Sequence, residues 1–143
     1  MPYATGAQME EQFGLREMIA LTDRDNIGVV DSAVLAHALT DADAEIDSYL
    51  AGRYPLPLIG VFPVLTRHAC NMARYYLSGA DVTEVDAVRS RYKDAIRYLE
   101  SVRDGKTRLA ADAAHAAAPE PARISVVGSE RTFTADTLGD FTG

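Results

Sequence analysis

Apolar side chains recur every three or four positions along most of the chain, which is the spacing of an amphipathic helix. The clearest stripe begins after Asp31, a residue type that often caps helices, and reaches about Arg53. Its members are Leu35, Leu39, Ala42, Ile46 and Leu50, with Tyr49 at the edge. This pattern predicts the longest helix of the protein.

Two short helices are predicted before it. Thr5 followed by Gln8 matches a capping box, and the helix that it opens is interrupted at Gly14. A second apolar turn or two follows over Leu15 to Leu21. The polar loop after it starts with Asp23 and resembles a calcium loop, but the fifth and twelfth ligand positions are apolar, which favours a capping turn.

Two long helices are predicted after it. Pro63 stands where a proline commonly starts a helix, and the apolar face that follows reaches a stop at Gly79. Thr83 is predicted to cap the last helix, and Gly105 is placed to end it in a left-handed conformation. The sequence therefore predicts an all-α protein, a small bundle of three to four main helices.

The pattern changes after Leu109. Residues 110–123 are rich in alanine and proline and are predicted to form a linker, whereas 124–143 contain two β-like patches that a hairpin could join. We therefore predict a helical domain over 1–109, a linker over 110–123 and an extended C-terminal tail over 124–143.

A basic–aromatic–proline joint separates the two central helices. Arg53 and Tyr54 are followed by Pro55-Leu56-Pro57-Leu58, and two prolines one residue apart hold the chain extended. A connection that faces only solvent seldom contains this many apolar and aromatic side chains. The joint either packs on its own domain or binds a partner.

Composition restricts the class of protein. With 143 residues, 48% of them hydrophobic, the chain suits one domain with a real core. No apolar run approaches the roughly 20 residues of a membrane span, and no signal layout is present at the N-terminus. The single cysteine, Cys70, fits a reducing compartment. These features predict a protein located in the cytoplasm of the producing cell, without a membrane partner. Such a protein can later enter an assembled particle.

Charge is divided unevenly along the chain, whose net charge is −7. Residues 1–50 carry ten acidic and two basic side chains, whereas residues 51–110 carry six acidic and ten basic ones. The two regions either neutralise each other within one monomer or pair between copies. The acidic balance argues against general nucleic-acid binding.

Candidate chemistry is sparse. The acidic cluster Asp41, Asp43, Glu45 and Asp47 could serve a metal-dependent enzyme, but no histidine lies nearby in sequence, and a structural role is favoured. His68 and Cys70 are two residues apart on a helix and cannot form a nucleophile–base pair, so His68 is predicted to be a hydrogen-bonded core residue. We therefore predict no enzyme, cofactor or metal site.

A basic ridge is the remaining charged feature. Arg89, Lys93 and Arg97 recur every four residues and could meet either phosphates or the acidic flank around Asp43 and Asp47. Interleaved acidic residues weaken the first possibility. A packaging factor that contacts nucleic acid through this ridge is an alternative function.

Several segments together resemble the gp36-type proteins from the head–tail gene cluster of Mu-like phages and prophages. They are Tyr3-Ala4-Thr5 with Phe13-Gly14, then Leu21 to Arg24, then Ala42 to Leu50 with Arg53 to Leu58, and Arg91 to Leu99. The tail segment Arg131 to Leu138 is similar to the family as well. The resemblance covers most of residues 3–109.

The resemblance implies a virion morphogenesis protein, a head–tail connector or head-completion adaptor. Such adaptors work as rings beneath the portal, so it implies self-association and contacts with portal or tail-completion proteins. It brings no catalytic residues. Combined with the joint, the ridge and the tail, it gives these candidate interface residues: Arg53, Tyr54, Leu56, Leu58, Arg89, Lys93, Arg97, Phe133 and Leu138.

Overall fold

The computed structural model describes residues 2–79 and 86–109. The predicted linker, the predicted tail and Thr83 lie outside these ranges. Within them the chain forms helices and no strands: α1 (Gly6–Phe13), α2 (Leu15–Thr22), α3 (Ser32–Leu50), α4 (Pro63–Ser78) and α5 (Ala87–Arg103). The predicted all-α class is confirmed, with three long helices and two short ones.

The three long helices form the main bundle. α3 packs most extensively on α4, and α4 packs in turn on α5. All five residues of the predicted α3 stripe are buried, and Ile46 and Leu50 have no exposed surface. α1 and α2 pack on each other and against α3 and α4, so they cover one side of the bundle.

α4 is the central helix and is buried more broadly than its sequence pattern indicates. Of the predicted face, Leu65, Ala69 and Met72 are fully buried and Tyr76 is partly buried, but Cys70 and Ala73 on neighbouring faces are fully buried as well. α4 contacts α1, α2, α3 and α5, so it has less surface left for solvent than a one-sided amphipathic helix. None of the helices in the described part of the chain is long and apolar enough to cross a membrane.

Side-chain caps fix the starts of α1 and α3 as predicted. At α1 the Gln8 amide donates to the Thr5 hydroxyl at 3.3 Å, and the Thr5 amide donates to Gln8 Oε1 at 2.9 Å. At α3 the Asp31 carboxylate accepts from the amides of Ala33 and Val34, at 2.9 and 3.2 Å. Each cap satisfies amides that have no partner within the helix.

The last residue of α3 and the first residue of α5 differ from the prediction. α3 ends at Leu50 rather than near Arg53, because the amides of Arg53 and Tyr54 both donate to the Leu50 carbonyl in a turn that leads into Pro55. α5 begins at Ala87, where Asp86 is extended and accepts from the Val88 amide. Asp86, which stands nearer to the helix in sequence, thus provides the cap that the sequence pattern predicts at Thr83.

The loop before α3 is a capping turn, as the sequence favoured. The Asp23 carboxylate accepts from the amides of Ile27 and Gly28, at 3.0 and 2.6 Å. These backbone hydrogen bonds lower the pKa of Asp23 below its ordinary value. The carboxylate is therefore engaged by its own loop.

We expect Asp31→Ala to lower the free energy of unfolding by about 1 kcal/mol, because two amides of the first turn of α3 lose their acceptor. Asp41→Ala is the matched control, since Asp41 is exposed on the same helix and should change stability by less than about 0.5 kcal/mol. Urea denaturation measures both variants. Equal effects of the two substitutions would contradict a capping role.

Candidate interaction surface

The joint between α3 and α4 is fastened to the end of α5. Arg53 Nη1 donates to the carbonyl of Val102 at 3.0 Å, and the guanidinium lies 5.7 Å from the centroid of the Tyr54 ring. Gly105, with a φ of 79°, follows α5 here, and a Cβ at this position would lie 2.6 Å from Arg53 Nη1. The glycine therefore provides both the left-handed turn and the room for the guanidinium.

Tyr54 and Leu58 are the buried anchors of the joint, with exposed fractions of 6% and 7%. The amide of Leu109 donates to the Tyr54 hydroxyl at 3.3 Å, so the aromatic ring holds the chain that follows α5. Leu56 is half-buried against the same core. For these residues the structure shows the intramolecular alternative, packing on their own domain.

The same connection exposes two aliphatic side chains that the sequence analysis did not single out. Ile59 is 72% exposed and Val61 is 83% exposed, and we call these two residues the aliphatic tip. Leu58 before them and Phe62 after them pack against the core. The sequence contained one indication of this exposure. The connection of twelve residues between α3 and α4 is rich in apolar side chains, and a connection of this composition cannot bury all of them.

Two clefts flank the tip. One of about 160 Å³ lies between Val61 and the N-terminal segment around Tyr3, and the other, of about 440 Å³, lies between Val61 and α1. Val64, on the first turn of α4, adds a further exposed aliphatic side chain. Exposed apolar side chains grouped beside clefts can serve as a protein-binding surface.

The predicted basic ridge lies along α5. Lys93 and Arg97 are exposed and line a cleft with Glu45, Tyr49 and Tyr92, whereas Arg89 is partly buried. Arg97 approaches Asp94 at 3.5 Å, but both side chains are more than half exposed, so this ion pair contributes little stability. The carboxylate that lines this cleft together with Lys93 and Arg97 is that of Glu45.

Asp43 and Asp47 bind the N-terminal segment instead. The Tyr3 amide donates to the Asp43 carboxylate at 3.0 Å, and the Tyr3 hydroxyl donates to Asp47. Burial raises the pKa of Asp43, and burial together with the hydrogen bond to Asp47 raises the pKa of Tyr3. These two carboxylates thus hold the residues before α1 against α3.

Glu45 joins the three long helices. Its carboxylate on α3 accepts from the Tyr76 hydroxyl on α4 and from the Tyr92 hydroxyl on α5, the latter at 3.0 Å. Tyr75 stacks on Tyr92 with ring centroids 4.2 Å apart, which encloses the contact. Asp43, Glu45 and Asp47 therefore have the structural role that the sequence favoured, through tyrosine hydroxyls and a backbone amide, whereas Asp41 is exposed.

His68 and Cys70 are core residues. His68 is buried as predicted and its ring stacks on Tyr98 with centroids 4.7 Å apart, and among the described residues its Nδ1 has no hydrogen-bond partner. Burial raises the pKa of the Cys70 thiol to about 11, which keeps it protonated and unreactive. Within residues 2–79 and 86–109 no group of three acidic, histidine or cysteine side chains could hold a metal ion. Phe133 and Leu138 lie outside the described residues.

The chain as a whole matches a known family. A sequence model described as Bacteriophage Mu, Gp36 covers residues 3–127, which includes all five helices and the joint. The chain belongs to this family. The resemblance drawn from the sequence is therefore confirmed, and the chain is a phage or prophage protein.

Two relatives show how much of the Gp36 family's sequence is shared. Gene product J of Escherichia phage Mu is 43% identical over 103 residues, which are 72% of each chain. The Mu-like prophage FluMu protein gp36 of Haemophilus influenzae is 39% identical over 107 residues, 75% of this chain and 74% of the relative. Identity at this level over this length indicates a common fold for this chain and both relatives.

We expect the Glu45 contacts to be visible in the alkaline stability of this Gp36-family protein. Burial and the hydrogen bond to Glu45 raise the pKa of Tyr92 from 10.0 to about 12. The fold thus favours the neutral phenol over the phenolate. The stability that this preference contributes is complete below pH 10 and is lost as the pH rises to 12.

Between pH 10 and pH 12 the free energy of unfolding should therefore fall less for Tyr92→Phe than for the wild type. Denaturant titration at several pH values measures this difference. Tyr75→Phe is the control, because its ring stacks on Tyr92 while the Glu45 contacts remain. An unchanged alkaline slope in Tyr92→Phe would show that the Glu45–Tyr92 contact does not couple to folding.

Proposed function

We propose that this Gp36-family protein is a structural component of the phage particle that connects head and tail through protein–protein contacts. The observation that carries the proposal is the aliphatic tip, Ile59 and Val61, exposed on a connection whose neighbouring residues are firmly anchored. Exposed aliphatic side chains on a fixed backbone lose little conformational entropy on binding, so they suit a permanent interface.

The packing of the reactive side chains supports an assembly role over an enzymatic one. Cys70 is fully buried, and Asp43, Glu45 and Asp47 accept hydrogen bonds that hold the domain together. A catalytic acid or nucleophile needs access to a substrate. This thiol and these three carboxylates are instead used to stabilise the fold.

The partners we propose are other copies of this chain, arranged as a ring, and the neighbouring portal or tail-completion proteins. A ring needs two different surfaces on each copy, because each subunit makes the same heterologous contact with the next one. The acidic first fifty residues and the basic region after them provide such a pair. Assembly would take place in the bacterial cytoplasm and end in the virion.

The direct test is deletion of the gene from the phage or prophage that encodes the protein. We expect induced cells to accumulate separate heads and tails in electron micrographs, and we expect antibody labelling to place the protein at the head–tail junction of intact particles. Normal joined particles after deletion, or absence of the protein from purified particles, would contradict the proposal.

The aliphatic tip has its own test in the same system. Ile59→Ser with Val61→Ser should change the free energy of unfolding by less than about 0.5 kcal/mol, since both side chains are exposed. The yield of joined particles should fall more than about tenfold, because burying each aliphatic side chain in a contact contributes roughly 1.5–3 kcal/mol.

Ile27→Ser with Val29→Ser is the matched control, because these aliphatic residues are 71% and 57% exposed on a different loop. This control pair should leave particle yield unchanged. If both pairs reduce the yield equally, general surface hydrophobicity rather than the tip carries the contact.

A further inference from the structure

A polar cleft of about 450 Å³ opens between α1, α4 and α5. The residues that matter for its chemistry are Arg67, His68, Asn71, Arg91 and Asp94. The aliphatic tip does not line it, so a ligand here would use a different surface from the one discussed above. The family match assigns no role to this cleft.

The cleft presents positive charge without a partner. Arg67 and Arg91 are both exposed, and within the described residues neither guanidinium forms an ion pair or a hydrogen bond. Asp94 is the one carboxylate in the lining, and it lies 3.5 Å from Arg97 on the next turn of the same helix. The two guanidiniums are therefore available to an outside anion.

The lining of the cleft also contains buried polar groups. His68 is only 8% exposed, and its Nδ1 has no hydrogen-bond partner. Asn71 is equally buried and accepts a hydrogen bond from Gln12 Nε2 at 3.4 Å. These two side chains give the cleft a polar wall, and the His68 Nδ1 atom itself lies beneath the surface.

An anion is the ligand that fits these groups. Guanidiniums form forked, charge-assisted hydrogen bonds with carboxylates and phosphates, and an amide or imidazole can add directional contacts. A phosphate backbone is the weaker choice, because nucleic acid would be repelled by a chain of net charge −7. A single carboxylate side chain brings less negative charge to the cleft than a phosphate backbone, since duplex DNA carries one charge per about 1.7 Å of its axis.

The chain itself contains suitable carboxylates. Residues 1–50 have a net charge of −8, and residues 51–110, which contribute both arginines of the cleft, have a net charge of +4. Glu10, Asp25 and Asp41 are exposed and form no ion pair within the described residues. Each copy thus has exposed acids in its first fifty residues and the two exposed arginines of the cleft in residues 51–110.

We propose that the cleft between α1, α4 and α5 binds a carboxylate side chain from the acidic first fifty residues of a second copy of this chain. This inference rests on the proposed self-assembly and identifies the surface that receives the neighbour. Because donor and acceptor surfaces differ, the contact is head-to-tail, and repetition of it gives a ring or an open chain of subunits.

The test is sedimentation equilibrium of the full chain over a range of protein concentrations at low and at high salt. We expect the wild type to self-associate, and we expect salt to weaken the association because it screens charge pairs. Arg67→Glu with Arg91→Glu should weaken self-association at least tenfold. Arg67→Gln with Arg91→Gln, which removes the charge without reversing it, should give a smaller loss.

Lys106→Glu with Arg108→Glu is the matched control. Both side chains are exposed outside the cleft and outside the acidic first fifty residues, and the change in net charge is the same. Thermal melting of every variant establishes that it is folded. If the control pair weakens association as much as the cleft pair, total charge rather than the cleft is responsible, and the proposal fails.

A mixing experiment distinguishes a head-to-tail contact from a symmetric one. The Arg67→Glu, Arg91→Glu variant keeps its acidic region, so it can occupy a wild-type cleft but cannot receive a further copy. Adding it in small amounts should therefore lower the mean mass of wild-type oligomers. An unchanged mean mass would overturn the proposal.

Two further results would also overturn it. A wild type that stays monomeric at every concentration would exclude a self-contact in this cleft, and the proposed virion role would then be judged by the gene deletion alone. Retardation of duplex DNA that disappears in the cleft pair, with self-association unchanged, would assign the cleft to phosphate.

Discussion

The anchoring of the joint to the end of α5 is the constraint on which the rest of the arrangement depends. Arg53 reaches the last turn of α5 and Tyr54 holds the chain beyond it, so the end of α3, the start of α4 and the end of α5 are fixed together. With Leu58 also buried, the connection has no room to bury Ile59 and Val61 as well. The anchors of the domain therefore determine which apolar side chains of the connection are exposed.

A second level of organisation uses polar contacts inside the bundle. Glu45 links three helices through two tyrosines, and Asp43 with Asp47 holds Tyr3 in place. The folded state is destabilised when one of these acceptors loses its hydrogen-bond partner. The contacts therefore favour one arrangement of the helices over alternatives. A defined arrangement is what the proposed assembly role requires, since every copy would have to present the same surfaces.

The helices could be predicted because their signals are local. The Asp31 cap and the stripe from Leu35 to Leu50 lie within one helix, and helical spacing alone connects them. The contacts of Glu45 could not be predicted, because Tyr76 and Tyr92 are 31 and 47 positions away. The tip was missed for a related reason, since only the three-dimensional anchors decide which residues of an apolar connection are exposed. Sequence pattern also placed Tyr54 and Leu58 correctly in one joint without deciding between packing and binding.

The most direct test of this account is hydrogen–deuterium exchange of the protein alone and within assembled particles. The account predicts that amides around Ile59 and Val61 become protected on assembly, because the tip is covered by a partner. The amides at Tyr54 and Leu109 should be protected equally in both states, because their contacts belong to the domain itself. Protection that appears at Tyr54 only after assembly, with the tip still exchanging freely, would contradict it.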